Sequence, residues 1–288
     1  MQTLISLTID AVAYGMVLFI ISIGLSIIMG LMRVINLAHG AFAMTGGYLA
    51  SYATGAIGLP YAAALPLAVA ATVLTVMPLE FLLYRRLYRT PDPLEQVLMT
   101  IGITFVIAGT ANWIFGPTLK TIALPAAISG ATDIGFRSVP TNRLFVVACG
   151  LAVALLLSLL IEGTGFGVKL RATVDNSRMA AALGLRTERI YRLAFALAAG
   201  LAAFGGIVGA EILPIEPYYA LRYMVTFLVV VSVAGSGSVK RALAASLFLG
   251  FADTAGRYFA PQFGEFFFYF AVIIAVLSFS RRSFERVA

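Results

Sequence analysis

His39, the chain's one histidine, stands three positions after Asn36 in the stretch Gly30-Leu31-Met32-Arg33-Val34-Ile35-Asn36-Leu37-Ala38-His39-Gly40. These polar residues interrupt two long apolar runs. Asn36 and His39 can hydrogen-bond a ligand or satisfy backbone groups freed by a break in a helix. Irregular backbone persists inside a membrane only where it lines a cavity or is buried in protein. The stretch is therefore a candidate for the edge of a transport path, with Asn36, His39 and Gly40 on it. A tight cytoplasmic turn is the plainer account, with Asn36 capping the next helix and His39 in its first turn. A metal site is not expected, because no second histidine or cysteine cluster completes a ligand set.

Two further stretches carry unusual chemistry. The most strongly charged loop spans residues 162–192. Within it, Asp175 and Asn176 are good helix starters, Met179, Ala180 and Leu183 recur at helical spacing, and Gly184 suits a helix end. The spacing predicts a helix of about two turns over residues 175–184. Arg171 and Arg178 flank it upstream, Arg186 and Arg189 downstream, and the small residues Ala180, Ala181 and Ala182 would let another protein approach closely. A solvated basic loop explains the arginines but not this apolar face. The glycines at 163, 165 and 167 do not make a phosphate loop, since no G-x-x-x-x-G-K-[ST] pattern accompanies them. The other stretch is Gly235-Ser236-Gly237-Ser238, between apolar runs at 223–234 and 242–255 that are short for a membrane. A mid-membrane break at Gly235 and Gly237, with close backbone packing, would account for both. A hairpin capped by Lys240 and Arg241 is the alternative.

The elements that hold these stretches are set by composition. The 288 residues are 61% hydrophobic and 11% charged, whereas a soluble domain carries about 25% charged residues. Apolar runs fall at 4–32, 38–57, 61–84, 96–115, 144–161, 193–213, 223–234, 242–255 and 266–279, with a polar stretch at 116–142. Several reach or approach the length of about 20 residues that crosses a bilayer. They are continuous rather than alternating, which excludes a membrane barrel. The expected fold class is all-α: a polytopic integral membrane protein with about eight or nine transmembrane segments, some discontinuous or re-entrant. The first run is too long for a signal peptide and lacks a cleavage site, so it reads as a retained helix. Pro214 and Pro217 predict a tight external turn.

Counting Lys and Arg by side orients the chain. One side collects Arg33, Arg85, Arg86, Arg89, the basic residues of 162–192, Lys240, Arg241, Arg281, Arg282 and Arg286. The other has Lys120, Arg137, Arg143, Arg222 and Arg257. The first side should be cytoplasmic, which puts the N-terminus outside and the C-terminus inside. The net charge of +7 then reflects loops facing anionic lipid, not nucleic acid. Deep carboxylates are few: Asp10, Asp253 and Glu211. Arg257 lies one turn after Asp253 and should pair with it. An ion-coupled carrier usually shows an intramembrane carboxylate relay, and none is evident. No hydrolytic or redox constellation points to an enzyme, and the lone Cys149 reads as a small packed hydrophobe.

Together these stretches resemble the permease subunits of high-affinity branched-chain amino acid ABC transporters. The run Ile35-Asn36-Leu37-Ala38-His39-Gly40, continuing into Ala41-Phe42-Ala43-Met44-Thr45-Gly46-Gly47-Tyr48, is similar to that family's signature after its first helix. The stretch from Gly167 through Arg171-Ala172, Asn176, Ala180 and Leu183-Gly184 resembles its coupling loop. The glycine-serine break resembles its second glycine-rich motif, except that Lys240 and Arg241 follow where the family has small residues or proline.

The resemblance implies one permease domain over residues 1–288, with a cytoplasmic coupling loop at about 162–192. Asn36, His39, Gly40, Gly235 and Gly237 would edge the translocation path. Arg171, Asn176, Ala180, Ala181 and Gly184 would serve coupling to an ATPase subunit. It also implies a second permease subunit, identical or homologous, two ATP-binding subunits and an external, periplasmic binding protein. The chain itself would hold no cofactor and would sit, surrounded by lipid, in a bacterial-type inner membrane. The cargo would be branched-chain or related amino acids. Urea or short amides are the alternative within the family, and a stand-alone channel or ion-coupled carrier is the alternative outside it.

Overall fold

The computed structural model describes residues 2–32, 35–84, 92–133, 138–235 and 238–284. Arg33, Arg85, Arg86, Arg89, Arg137, Ser236, Gly237 and Arg286 lie outside them. The helices are α1 (Gln2–Met32), α2 (His39–Gly55), α3 (Tyr61–Leu79), α4 (Pro93–Phe115), α5 (Thr141–Gly163), α6 (Gly165–Asp175), α7 (Ser177–Ala182), α8 (Thr187–Val208), α9 (Tyr219–Ala234), α10 (Val239–Phe259) and α11 (Gly264–Phe284). Among the described residues, five segments are long and apolar enough to cross a membrane: Leu4–Met29, Tyr61–Leu83, Pro93–Phe115, Thr141–Gly163 and Thr187–Val208. Tyr219–Ala234 and Phe266–Ala275 are shorter apolar helices.

Helix α1 is the axis of the bundle. Leu18, Phe19, Ile20, Ile21 and Leu25 are fully buried, and α5, α8, α9 and α10 pack around it. Lipid tails are as apolar as leucine, so helices in a bilayer associate through close van der Waals packing and small residues, not through a hydrophobic drive. Glycines supply that closeness here. A Cβ placed on Gly250 of α10 would stand 2.7 Å from the Cα of Gly15 on α1. One placed on Gly206 of α8 would collide with the Ala43 carbonyl of α2. The outer helices differ: Leu74 of α3, Val106 of α4, Leu156 of α5 and Phe266 of α11 are all exposed, which suits faces turned to lipid or to another subunit.

Local sequence explains the element ends. Asp92 caps α4, its side chain accepting from the Leu94 N–H at 2.8 Å, and Pro93 needs no donor at the first helical position. Pro78 near the end of α3 offers no N–H to the preceding turn, and the helix widens into a π-turn at Glu80–Tyr84. The expected Asp253–Arg257 pair is formed at 2.9 Å.

The fold is all-α as expected; among the described residues Ala131–Asp133 (β1) and Ser138–Pro140 (β2) add a small antiparallel hairpin with Thr132 opposite Val139. Two expectations from the sequence need correction. The Pro214–Pro217 region is not a tight turn on the surface. Leu213 and Ile215 are buried there, the Lys120 N–H donates to the Ile215 carbonyl at 3.0 Å, and the Ile215 side chain fills the space beside Gly47. Finally, α8 starts at Thr187 and α10 runs from Val239 to Phe259, both longer than their apolar runs. Charged residues such as Arg189 and Arg241 end a hydropathy run without ending a helix.

The α1–α10 crossing yields a direct test. Gly250→Ile should destabilise the protein by about 1–3 kcal/mol through overpacking. Gly109→Ile, on α4 where nothing stands within 4 Å, should stay within about 0.5 kcal/mol. Thermal melting of the two purified variants in detergent compares them. Equal melting temperatures would show that the crossing tolerates bulk.

Candidate functional site

Helix α2 begins beside the second half of α1. The Nε2 of His39, the first residue of α2, lies 3.0 Å from the Ile21 carbonyl oxygen, while α1 continues from Ile21 to Met32, about 16 Å of helix at ~1.5 Å per residue. Residues 35–37 therefore lie outside both helices, the Ala38 carbonyl accepts the Ala41 and Phe42 N–H groups at 3.0 and 3.3 Å, and Asn36, Ala38, His39 and Gly40 are buried. Asn36 and His39 are fully so. Asn36 Oδ1 accepts the Ala38 N–H at 3.0 Å. Asn36 thus closes the turn in front of α2, whereas the residue at the cap position itself is Ala38. The His39 ring lies against Gly24, where a Cβ would stand 3.1 Å from it, and meets Phe42 edge-on at 6.0 Å. Gly40 faces the first turn of α9, where its Cβ would stand 3.2 Å from the Ala220 Cα.

The freed backbone of the break is satisfied by α4. The Ile35 N–H donates to Gln96 Oε1 at 3.1 Å. The Thr100 and Thr104 hydroxyls bond back to the Gln96 and Thr100 carbonyls, each at 2.8 Å, and share those protons with the Ile35 carbonyl at 3.4 Å and the Leu37 carbonyl at 3.2 Å. All three side chains are buried on a helix that is otherwise largely exposed. The sequence reading missed them. The signal was present: Gln96, Thr100 and Thr104 fall at four-residue steps, one polar ridge on an apolar helix.

The face of α2 that follows the break borders a groove of about 250 Å³ between α2, α3 and α4, lined by Thr45, Tyr48, Val76, Leu79, Ile107 and Phe115 among others. The Thr45 and Thr110 hydroxyls are bonded back to Ala41 and Val106 carbonyls at 2.7 and 2.8 Å. With those hydroxyls occupied, the wall is apolar and suited to an aliphatic group.

The structure does not bring Gly235 to this place. Gly235 (φ +69°) ends α9 at the end opposite Ala220, and Ser238 caps α10, its Oγ accepting from the Arg241 N–H at 3.4 Å. The expected coupling residues form a separate group. The expected helix is α7, with Asn176 Oδ1 accepting the Met179 N–H at 2.9 Å and Gly184 (φ +85°) ending it. Helix α6, not foreseen from the sequence, precedes it. Gly167 lets α6 fold tightly under α5, because a Cβ there would collide with the Ile161 carbonyl, and the Arg171 guanidinium donates to that same oxygen at 3.0 Å. Arg171 thus fastens α6 to α5. Ala180 faces the protein at 3% exposure, so the outward face of α7 belongs instead to Met179, Leu183 and Ala181, with Leu183 77% exposed.

A bundle of apolar helices, broken inside by a polar segment and carrying a capped helix pair at one end, is the build of a membrane transport permease. The chain belongs to the family described as branched-chain amino acid transport system / permease component, which matches residues 7–277. It is 24% identical over 283 residues to the high-affinity branched-chain amino acid transport system permease protein LivH of Escherichia coli K12, covering 93% of this chain and 91% of that one. The corresponding protein BraD of Pseudomonas aeruginosa is 24% identical over 287 residues, covering 94% and 92%. A shorter match, 36% over 112 residues, is to the autoinducer 2 import system permease protein LsrC of Salmonella paratyphi B, covering 38% of this chain and 28% of LsrC.

The α4 ridge can be tested without a transport assay. Gln96→Leu removes the acceptor of the Ile35 N–H, and Thr104→Val removes the donor to the Leu37 carbonyl. Each should cost about 1 kcal/mol or more and raise amide exchange over residues 35–38 roughly fivefold, with α8 unchanged. Unaltered exchange at 35–38 in both variants would mean that other contacts hold the break.

Proposed function

We propose that this chain is the permease subunit of an ATP-driven importer, forming the translocation path for branched-chain or related amino acids delivered by an external binding protein. The observation that carries the reading is the mounting of α7. A coupling element must touch a partner and pass force to the membrane helices. The outward Met179 and Leu183 of α7 offer the contact, and the Gly167 and Arg171 contacts to Ile161 tie α6 to α5.

On this reading residues 162–192 are cytoplasmic, as is the C-terminus, and the protein lies in a bacterial-type inner membrane. Two ATP-binding subunits hydrolyse ATP, one seated on α7. A second permease subunit, identical or homologous, packs on the exposed outer helices. Asn36, His39 and Gly40 fix the start of α2, and the path runs along the α2 face lined by Thr45 and Tyr48. The apolar wall there suits a branched aliphatic side chain better than urea. The chain itself performs no hydrolysis.

The test compares two substitutions in purified complexes with matched expression. Ala181→Trp places bulk on the outward face of α7, where overpacking costs about 1–3 kcal/mol. It should weaken ATPase binding or uncouple hydrolysis from uptake. Arg186→Ala removes an exposed charge, whose pairs contribute about 0–1 kcal/mol, and should do much less. If Ala181→Trp leaves ATPase binding, ATP turnover and uptake unchanged, α7 is not the coupling element.

Sidedness is tested separately. Arg186→Cys in a Cys149→Ala background should resist an impermeant thiol reagent added to intact cells and react after lysis. Efficient labelling from outside would invert the orientation.

A further inference from the structure

At the end of the bundle away from α6 and α7 lies a second cavity of about 370 Å³, within the size range of small-molecule sites. Its lining includes the oppositely charged Arg143 and Glu211, the polar Asn142 and the aliphatic Ile122, Leu124 and Ile128. Asn142 and Arg143 belong to the first turn of α5, whose cap residue is Pro140 and supplies no side-chain cap. The first N–H groups of a helix have no acceptor within it and, with the helix dipole, favour an anion; here the Thr141 N–H is already taken by the Gly130 carbonyl at 3.0 Å. Arg143 is already oriented, its Nε held at 3.1 Å by Asp10 Oδ1 of α1. That contact leaves the two terminal nitrogens of the guanidinium for a carboxylate. Glu211 stands just past the end of α8, which stops at Val208, so its carboxylate and the negative end of that helix dipole act together on a cation. A positive end and a negative end thus face one cavity that also offers an aliphatic wall.

We infer that this cavity is an outer loading site for a free zwitterionic α-amino acid, with the carboxylate at Arg143 and the start of α5, the ammonium at Glu211, and an aliphatic side chain against Ile122, Leu124 and Ile128. The inference rests on the importer reading, which makes this end external and the cargo an amino acid. It adds a residue-level site for cargo on the permease itself, separate from the α2 groove. A neutral solute such as urea meets no reward from two opposed charges, so the site also discriminates between cargo classes.

The experiment measures binding of tritiated leucine to the purified complex in nanodiscs, without binding protein, by scintillation proximity. Arg143→Gln and Glu211→Gln should each weaken binding at least tenfold. Leucinamide, which lacks the carboxylate, and 2-hydroxy-4-methylpentanoate, which lacks the ammonium, should compete at least tenfold less well than leucine, and urea should not compete. The competition series uses the unaltered protein, so it decides the matter even if a variant fails to assemble. Binding within twofold of the unaltered protein in both variants, or equal competition by the one-charge analogues, overturns the site. In parallel, uptake into proteoliposomes with the binding protein and ATP tests the underlying reading. ATP-driven leucine uptake together with unchanged leucine binding in both variants removes the loading site and leaves the importer standing. Absence of ATP-driven uptake of any amino acid removes both.

Discussion

A backbone that leaves the helix inside a membrane must find its hydrogen bonds in protein, because lipid supplies none. Residues 35–38 meet that constraint through Gln96 and Asn36, helped by the shared hydroxyls of Thr100 and Thr104. Much else in the structure follows from it. Because those bonds exist, α2 can start beside the second half of α1. Because α2 starts there, His39 can reach the Ile21 carbonyl and Gly40 can meet α9. The face of α2 that leads on to the apolar groove inherits its position from the same few bonds. Helix α4 is otherwise loosely held, with Leu98, Val106 and Trp113 exposed. Its ridge to the break is therefore both a support for α2 and an anchor for α4.

The rest of the bundle is held by shape. Gly15 and Gly250 let α1 and α10 touch backbone to backbone, and Gly46 and Gly206 do the same for α2 and α8. Polar groups within the bundle answer mostly to local partners: Thr45, Thr54, Thr72 and Thr110 each bond a carbonyl one turn back.

The sequence made the apolar runs legible because charge and hydropathy mark them directly. It also disclosed the Asp253–Arg257 pair and the helix between Asn176 and Gly184, since both rest on contacts within one or two turns. What escaped depends on distant partners. Residues 165–175 read as loop because glycine and charge are poor local helix signals, yet Arg171 and Gly167 fasten them to α5. Ile215 looked like part of a surface turn because nothing nearby in sequence reveals that Gly47 leaves room for it. Ala180 was grouped with an outward face because periodicity defines a stripe without saying which side of it meets the protein. Gly235 was expected on the same path as Asn36 because two glycine-marked breaks seem alike in one dimension, while α9 carries Gly235 to the end away from Ala220, the residue that Gly40 meets.

The crossing of α1 with α10 has a consequence for biosynthesis. Gly15 precedes Gly250 by most of the sequence, so the helix at the centre of the bundle is synthesised well before the helix that encloses it. Contacts so distant in sequence form slowly, because the intervening chain must close a long loop first. Until α10 arrives, the Gly15 face of α1 has no permanent neighbour and must be sheltered by lipid or by the insertion machinery. A chain cut short before α10 would present an open core, a feature by which quality-control proteases recognise unfinished protein.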